Sequence, residues 1–597
     1  MGGCAMAGNS LTPVPFSRVR VRGGFWGDWI DRVCAATAPA CLKACEETRR
    51  VDNFRRAAGW QAGGHEGLFY NDSDVYKVLE GVAYALMATP DRSLEAQADG
   101  IIDAICAAQQ PDGYLYTYFI LKTPEHRWTD TDHHEDYCLG HLLEAGIAYF
   151  QATGKRRLLD AAVRAVDQMR AVVGPGRRDW VTGHQEIEMA LIRYYRLTGE
   201  AQYLDFARWL VNQRGHARTE LPLSHAKRFF TDEYCQNDLP ARQLTRVTGH
   251  AVRAMYYYSA LADLAALDGD RELYAALLRL WDNVSPANLY LTGGIGQSRH
   301  NEGFTRDWSL PNLTAYCETC AAVGMAFWNQ RMNAIDGGAR YADMVERELY
   351  NGILAGISLK GDTFFYENPL ASVGAHHRRP WFGTSCCPTN LIRFIPSIGG
   401  YAYATRGDEL YINQFLASDA EIALASGRAR LSVATGYPWD GRLDVEIESD
   451  APMALLVRLP DWCASFSAAR DGRPLNIAPQ SGYLRFKIEG RARLSIELGM
   501  PARRVYADPR VAEDVGRVAV MRGPLVYCAE ACDNPGMPDE YFHADFTLPA
   551  QAELLPVRER SELGDLVRLI GPGASLIPYY AWDNRAPGAM AVWLKER

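Results

Sequence analysis

The sequence predicts a multidomain α plus β protein, an (α/α)6 barrel followed by C-terminal antiparallel β-sandwich structure. Three observations carry that reading. From about residue 28 to residue 400 the apolar spacing is helical, as in Asp74–Leu86, where Val75, Val78, Leu79 and Val82 share one face. Within that region a glycine-ended helical hairpin recurs, and beyond about residue 405 the apolar period changes to two.

The hairpin appears as Ala152-Thr153-Gly154-Lys155 before Leu158-Leu159-Asp160, and as Leu197-Thr198-Gly199-Glu200 before Tyr203-Leu204-Asp205. It returns as Leu267-Asp268-Gly269-Asp270 before Leu273-Tyr274, and as Ile335-Asp336-Gly337 before Tyr341-Ala342-Asp343. Each copy is an apolar helix ended by Gly, the residue that best adopts a left-handed C-cap, and then a new helix. The glycines are unequally spaced, so the unit is a hairpin of variable length and not a short solenoid repeat. Stacked hairpins of this kind close into a toroid; an open bundle is the alternative.

In the C-terminal third Leu443, Val445 and Ile447 alternate with Asp444, Glu446 and Glu448. Leu484, Phe486 and Ile488 alternate with Arg485 and Lys487, and Leu494, Ile496 and Leu498 with Ser495 and Glu497. These are half-buried antiparallel strands.

Composition narrows the function. The 597 residues carry 63 basic and 72 acidic side chains, a net charge of -9, with no basic stripe of the kind nucleic-acid binding needs. A neutral or acidic small substrate fits better. Met1-Gly2-Gly3-Cys4-Ala5 opens no signal peptide, and no apolar run approaches the roughly 18 to 20 residues of a membrane span, so the expectation is a soluble, cytoplasmic protein. Fourteen cysteines in this length make no disulfide framework. In a reducing compartment closely spaced thiols point to metal binding or catalysis, whereas Cys106, Cys463 and Cys528 read as inert core fillers.

The closely spaced thiols lie in Glu318-Thr319-Cys320 and Cys386-Cys387-Pro388. They offer three thiolates and a carboxylate, a donor set that tetrahedral Zn2+ accepts. A structural Cys4 site that includes Cys317 is the competing reading; vicinal cysteines and the placement of Glu318 count against it. Histidines recur at helix starts, in His133-His134-Glu135-Asp136-Tyr137, Gly183-His184 and Gly249-His250. A lone His is usually a satisfied core or cap residue. Three at the starts of successive helices of a toroid would all point to one rim. Glu302 follows the Gly-rich Thr292-Gly293-Gly294-Ile295-Gly296, too irregular for a phosphate loop. Phe69-Tyr70, Tyr114, Tyr116, Trp308 and Trp381-Phe382 crowd the same segments, and such a mixture of rings, carboxylates and imidazoles suits sugars.

Taken in order, Asn53-Phe54-Arg55, Asn71–Lys77, Gln109-x-x-Asp112-Gly113-Tyr114-Leu115, Gly183-His184-x-x-Ile187-Glu188, Gly249–Arg253, Thr292–Gly296, Glu318-Thr319-Cys320 and Cys386-Cys387-Pro388 resemble glycoside hydrolase family 127. Arg522–Tyr527 and Pro578–Trp582 extend the resemblance to the end of the chain. It implies a barrel over 1–400, a first β-sandwich over 401–506 with 588–597 as its candidate last strand, and a second over 507–587. It implies a zinc site of Glu318, Cys320, Cys386 and Cys387, with Cys386 as nucleophile and Glu302 as general acid/base. Sugar contacts carried over by motif fall on His134, His184, His250, Glu346 and Tyr366.

The implied activity is that of a retaining, exo-acting hydrolase that releases a terminal furanose, with β-L-arabinofuranose as the leading substrate. Cys386 would form a thioglycosyl-enzyme. Pro388-Thr389-Asn390, Gly383-Thr384-Ser385 and His134–Tyr137 depart from the family pattern and touch the pocket's shape, so another pectic sugar such as aceric acid is an alternative substrate. Two rival classes are a sugar epimerase or isomerase, which would need neither Glu302 nor a zinc thiolate, and a non-catalytic carbohydrate-binding protein with structural zinc. The expected partner is a small oligosaccharide or glycoside, with neither nucleic acid nor membrane; a homodimer through the β domains completes the expectations.

Overall fold

A computed structural model describes residues 10–216, 231–534 and 546–597; the reading of Met1–Ala5 lies outside them. Six helices, Asn71–Ala88, Glu135–Thr153, Ile187–Thr198, Ala251–Asp268, Thr319–Asp336 and Cys386–Phe394, each pack on the next, and the last packs on the first. That closes an inner ring. An outer helix follows each of the first five: Arg92–Ala108, Arg157–Val172, Ala201–Gln213, Arg271–Ala287 and Ala339–Arg347. Ala38–Glu47 fills the sixth outer position, touching both Asn71–Ala88 and Cys386–Phe394. The toroid is an (α/α)6 barrel and not an open bundle.

Burial explains the two rings. Every residue from Asn71 to Leu86 and from Ala251 to Ala265 is buried, because an inner helix has neighbours on all sides. The outer Arg157–Val172 buries only one stripe, Leu158, Leu159, Ala161, Ala162, Ala165, Val166 and Met169. Glycines 154, 199, 269 and 337 take left-handed φ values of 74, 76, 65 and 75°, so the chain reverses at each expected C-cap. Each hairpin then returns, and all six inner helices start at the same end of the barrel.

The strand-rich part forms two sheets. In the first, Arg442–Arg458 pairs antiparallel with Tyr483–Leu498 along nearly its whole length, with a register shift between Ile488 and Gly490. The two alternating runs in 484–498 are therefore one long strand. Thr12–Pro13 and Val19–Val21 join this sheet through Tyr403–Arg406 and Ser418–Leu424. The second sheet is built on Arg517–Arg522 and Leu525–Glu530. One expectation fails here: the C-terminal strands Ala589–Ala591 and Leu594–Glu596 pair with Leu525–Glu530 and Arg517–Arg522, so 588–597 completes the second sheet and not the first. The first sheet takes its extra strands from the N-terminus instead. No helix among the described residues is long and apolar enough to cross a membrane.

Candidate active site

The shared start of the six inner helices surrounds a cavity of about 510 Å³, a size suited to a small ligand. Each inner helix contributes side chains from its N-terminal end: Asp74 and Lys77, His134 and Tyr137, His184, His250 and Arg253, Glu318 and Cys320, Cys386 and Asn390. Free N–H groups and the positive ends of the helix dipoles thus face one space, which favours anions there.

At one wall Glu318, Cys320, Cys386 and Cys387 bring ligand atoms within 4.8 Å of one another. Cys386 Sγ lies 3.2 Å from Glu318 Oε1 and 4.0 Å from Cys387 Sγ, and Cys320 Sγ lies 3.5 Å from Cys387 Sγ. Four ligands bound at about 2.0–2.3 Å around a tetrahedral centre stand about 3.3–3.8 Å apart, close to this spacing. Glu318 Oε2 is buried with no hydrogen-bond partner. Burial and the neighbouring Cys386 raise the Glu318 carboxyl, and burial together with the facing thiols raises Cys387. The hydrogen bond with Cys320 likewise raises Cys386. Four such donors crowded together repel one another as anions, and a divalent cation at their centre removes that penalty. The residues fit a metal. Cys317 is not among them; it takes a left-handed φ of 40° and points toward Gly294, so the Cys4 reading is set aside.

Cys386 differs from its partners in position. Cys320 and Cys387 are fully buried, whereas Cys386 is only partly so and opens on the cavity at the first turn of Cys386–Phe394. Its sulfur is also 3.2 Å from Tyr366 Oη.

Glu302 is brought beside this cluster by a tight hairpin, with Ser298 and Gly303 exchanging both backbone hydrogen bonds and Glu302 itself at φ 49°; a carboxylate oxygen of Glu302 lies within 4.8 Å of one of Glu318. Gly303 is required there: a Cβ would sit 1.8 Å from the Gly249 carbonyl oxygen. That close approach lets Ala251 N–H donate to the Glu302 carbonyl and lays Glu302 against His250. Tyr316 Oη donates to Glu302 Oε2 at 3.0 Å, and His250 Nε2 is 3.6 Å from the same oxygen. Burial pushes the Glu302 carboxyl up, but His250, Tyr316 and Arg253 together bring it down to about 2.

Three imidazoles line the cavity in a row, with His184 5.8 Å from His134 and 5.7 Å from His250 between ring centres. Burial, with Arg253, lowers all three, His134 to about 3; at His250 the Glu302 carboxylate opposes the shift without cancelling it. They are neutral at pH 7, and their tautomers follow from the network. His134 Nδ1 meets the Asp132 carbonyl at 2.6 Å and His184 Nδ1 the Gln185 carbonyl at 3.1 Å, so each carries its proton on Nδ1 and offers Nε2 as an acceptor. His250 Nδ1 instead accepts from Arg253 N–H at 3.3 Å, which leaves Nε2–H as a donor toward Glu302.

Of the side chains expected at the site, Cys386, Glu302, Glu318, Cys320, His134, His184, His250 and Tyr366 line this cavity, and Cys387 lies directly behind it. Glu346 does not. It is buried in the seam between barrel and first sheet, where Arg458 Nη2 lies 2.5 Å from its Oε1, with Tyr437 Oη at 2.7 Å and Trp462 Nε1 at 3.0 Å. Its oxygens are spent on those donors, so the expectation that Glu346 touches sugar is not met.

Residues 18–400 match the family profile described as Beta-L-arabinofuranosidase, GH127 catalytic domain. Residues 409–502 match the GH127 middle domain and 502–595 the glycoside hydrolase family 127 C-terminal domain. The chain belongs to glycoside hydrolase family 127. It is 35% identical to the non-reducing end beta-L-arabinofuranosidase of Bifidobacterium longum subsp. longum, over 96% of each chain. It also resembles the solved GH127 beta-L-arabinofuranosidase from Geobacillus stearothermophilus T6, with 36% identity and a TM-score of 0.92 over 97% of this chain and 100% of that one. For the structure described as the GH127 beta-arabinofuranosidase BT3674 the TM-score is 0.90 at 36% identity, over 99% and 98% of the two chains.

This GH127 glycoside hydrolase also uses side chains that the sequence pattern did not single out. Tyr316 shares the irregular segment before the helix with Glu318, two residues away, and reaches the site through its hydrogen bond to Glu302. Arg253, one turn into its helix from His250, shares the cavity wall with it; that i, i+3 spacing was available in the sequence.

Proposed function

We propose that this glycoside hydrolase is a retaining exo-β-L-arabinofuranosidase in which Cys386 is the nucleophile and Glu302 the general acid/base. The reading is carried by the position of Cys386, the one thiol of the donor cluster that is not fully buried, in the wall of the same cavity that Glu302 lines. The relatives' activity supports the choice of sugar.

Glu318, Cys320, Cys386 and Cys387 would hold Zn2+. Bound there, Zn2+ supplies the positive charge that keeps Cys386 a thiolate at neutral pH, against an ordinary thiol pKa near ~8.5. Neutral His134 and His184 accept hydrogen bonds from sugar hydroxyls and orient the ring. The Cys386 sulfur attacks the anomeric carbon as the C1–O bond breaks, and the Glu302 carboxyl gives its proton to the leaving oxygen.

In the second half Glu302, now a carboxylate, takes a proton from water. The water oxygen attacks C1, the C–S bond breaks and the thiolate is restored. Two displacements retain configuration. Tyr316 and His250 both address Glu302 Oε2, which leaves Oε1 for the leaving oxygen and then for water. Their donation stabilises the carboxylate that the second half needs.

The test is a screen of p-nitrophenyl furanosides and pyranosides with zinc quantified in the same preparation. Turnover of the β-L-arabinofuranoside with retained configuration is expected. Turnover confined to another glycoside overturns the substrate, and full turnover in metal-free protein overturns the metal's part.

A further inference from the structure

We infer that Arg50 is a positioning residue for the nucleophile, clamping the loop Trp381–Ser385 that delivers Cys386 to the cavity. The inference rests on the assignment of Cys386 above. Arg50 lies outside the cavity, yet it is 3% exposed, and both Nε and Nη2 of its guanidinium have partners. Nε pairs with Asp74 Oδ2 at 2.9 Å, while Nη2 donates to the Gly383 carbonyl at 2.7 Å and approaches the Phe382 carbonyl and Ser385 Oγ, both at 3.4 Å. The guanidinium also lies 5.6 Å from the centre of the Trp381 ring. One side chain thus ties the start of the inner helix Asn71–Ala88, through Asp74, to the five residues that precede Cys386.

The loop's other ties are Trp381 and Phe382, which pack on the core with the Phe382 ring 5.5 Å from that of Tyr366, and Thr389 Oγ1, which donates to the Ser385 carbonyl at 2.9 Å. A Cβ built on Gly383 would meet nothing within 4 Å, so no packing wall fixes the chain at that point. Tyr70 Oη meets Thr384 Oγ1 at 2.8 Å, and Ser385 Oγ donates to the Phe382 carbonyl within the loop. Of these, the Arg50 contact is the one that ties the loop's backbone to a segment remote in sequence, and Ser385 is the residue on which the helix Cys386–Phe394 begins. Where that helix starts decides where the sulfur sits relative to Glu318, Tyr366 and the anomeric carbon. A lysine would keep the charge opposite Asp74 but cannot present two nitrogens in a fixed plane to Asp74 and Gly383 together.

The experiment compares wild type, Arg50→Lys and Arg50→Ala, the last with and without added guanidinium. Displacement of a reacting atom by about 1 Å costs on the order of 10²-fold. Arg50→Lys should lose about that much in kcat with KM within about threefold, normal metal content and a Tm close to wild type, and guanidinium should restore part of the Arg50→Ala loss. Alkylation of Cys386 by a sugar-like electrophile should slow in parallel. Wild-type kcat in Arg50→Lys, a loss matched by lost metal or by unfolding, or no recovery with guanidinium overturns the clamp. Should Arg50→Lys not fold, Arg50→Gln is read the same way, since it keeps a side chain of similar length outside the cavity and removes the paired guanidinium nitrogens. Cys386→Ser, run beside them, separates the two assignments: if it keeps activity the nucleophile is wrong, whatever Arg50 does.

Discussion

Tyr316 donates its hydroxyl to Glu302 Oε2 at 3.0 Å, although the two residues lie fourteen positions apart in the chain. The bond favours the charged carboxylate. Tyr316 is therefore one of the groups that set when Glu302 gives up its proton.

Tyr316→Phe removes a donor that stabilises the carboxylate, so the Glu302 pKa must rise from its value of about 2. The acid half-reaction needs the protonated form, which then persists to higher pH. The alkaline limb of kcat/KM should move upward by up to about one pH unit, which is ~1.4 kcal/mol of lost preference for the charged form. A limb that stays put or moves down would show that Tyr316 does not tune Glu302.

Cys386→Ser should lower kcat by at least about 10³-fold and leave the Tm within a few degrees, because a partly exposed thiol is exchanged for a hydroxyl of similar shape. Cys387→Ser should act differently. Cys387 is buried behind the cluster and its sulfur meets Cys320 at 3.5 Å, so its loss should first appear as reduced metal content. Equal activity of Cys386→Ser and wild type would remove the nucleophile from the mechanism.

Chelation at neutral pH should strip a divalent ion and abolish activity, with recovery on adding Zn2+. Replacement by Co2+ should give a thiolate-to-metal charge-transfer band, which a carboxylate-only site would lack. The band should weaken in Cys320→Ser. Full activity after complete chelation would confine the cluster to a structural part.

Glu346→Gln should cost stability and spare substrate binding. Arg458 is fully buried and is paired with both Glu346 and Asp343, so neutralising Glu346 leaves a buried guanidinium short of one anion, a loss of up to about 3–5 kcal/mol. Chemical denaturation reads the loss, and KM is expected to be unchanged. A KM raised tenfold at full stability would return Glu346 to the sugar site.

The periodicity of the sequence made the barrel legible because inner and outer helices differ in how many faces they bury, and Gly154, Gly199, Gly269 and Gly337 mark each reversal. The metal donors were legible for a chemical reason, since three thiols and a carboxylate have few other joint uses. What stayed hidden depended on contacts distant along the chain. Arg458 lies 112 residues from Glu346, and only the packed seam reveals that the two neutralise each other. The pairing of Leu594–Glu596 with Arg517–Arg522 is of the same kind: the first is three residues long and the second is buried from Val518 onward, so neither carries a partner signal and tertiary packing fixes their register. Arg50 escaped notice because its work is done through backbone carbonyls, which carry no sequence signal.

The buried histidines should make stability depend on pH, and the sign can be stated. Burial holds His141 and His184 well below the ordinary imidazole value, and His134 at about 3. In the unfolded chain each titrates near ~6.5. Between the folded and unfolded values the unfolded chain binds more protons, so this stability is complete above about pH 6.5 and is lost as pH falls. Buried carboxyls act in the opposite sense: burial raises Glu135 to about 8 and Asp136 to about 7, so they favour folding at low pH. The wild-type curve alone therefore mixes two slopes. His141→Gln removes one imidazole, fully buried and outside the cavity lining, whose Nδ1 lies 3.1 Å from Glu186 Oε1; Glu186→Gln, run beside it, accounts for that carboxyl, which burial raises to about 8. The stability of His141→Gln relative to wild type, measured by denaturant unfolding at pH 7.5, 6.5 and 5.5, should improve below pH 6.5 by up to about 1.4 kcal/mol per unit. A difference that does not change with pH would mean that His141 keeps its ordinary pKa in the folded protein.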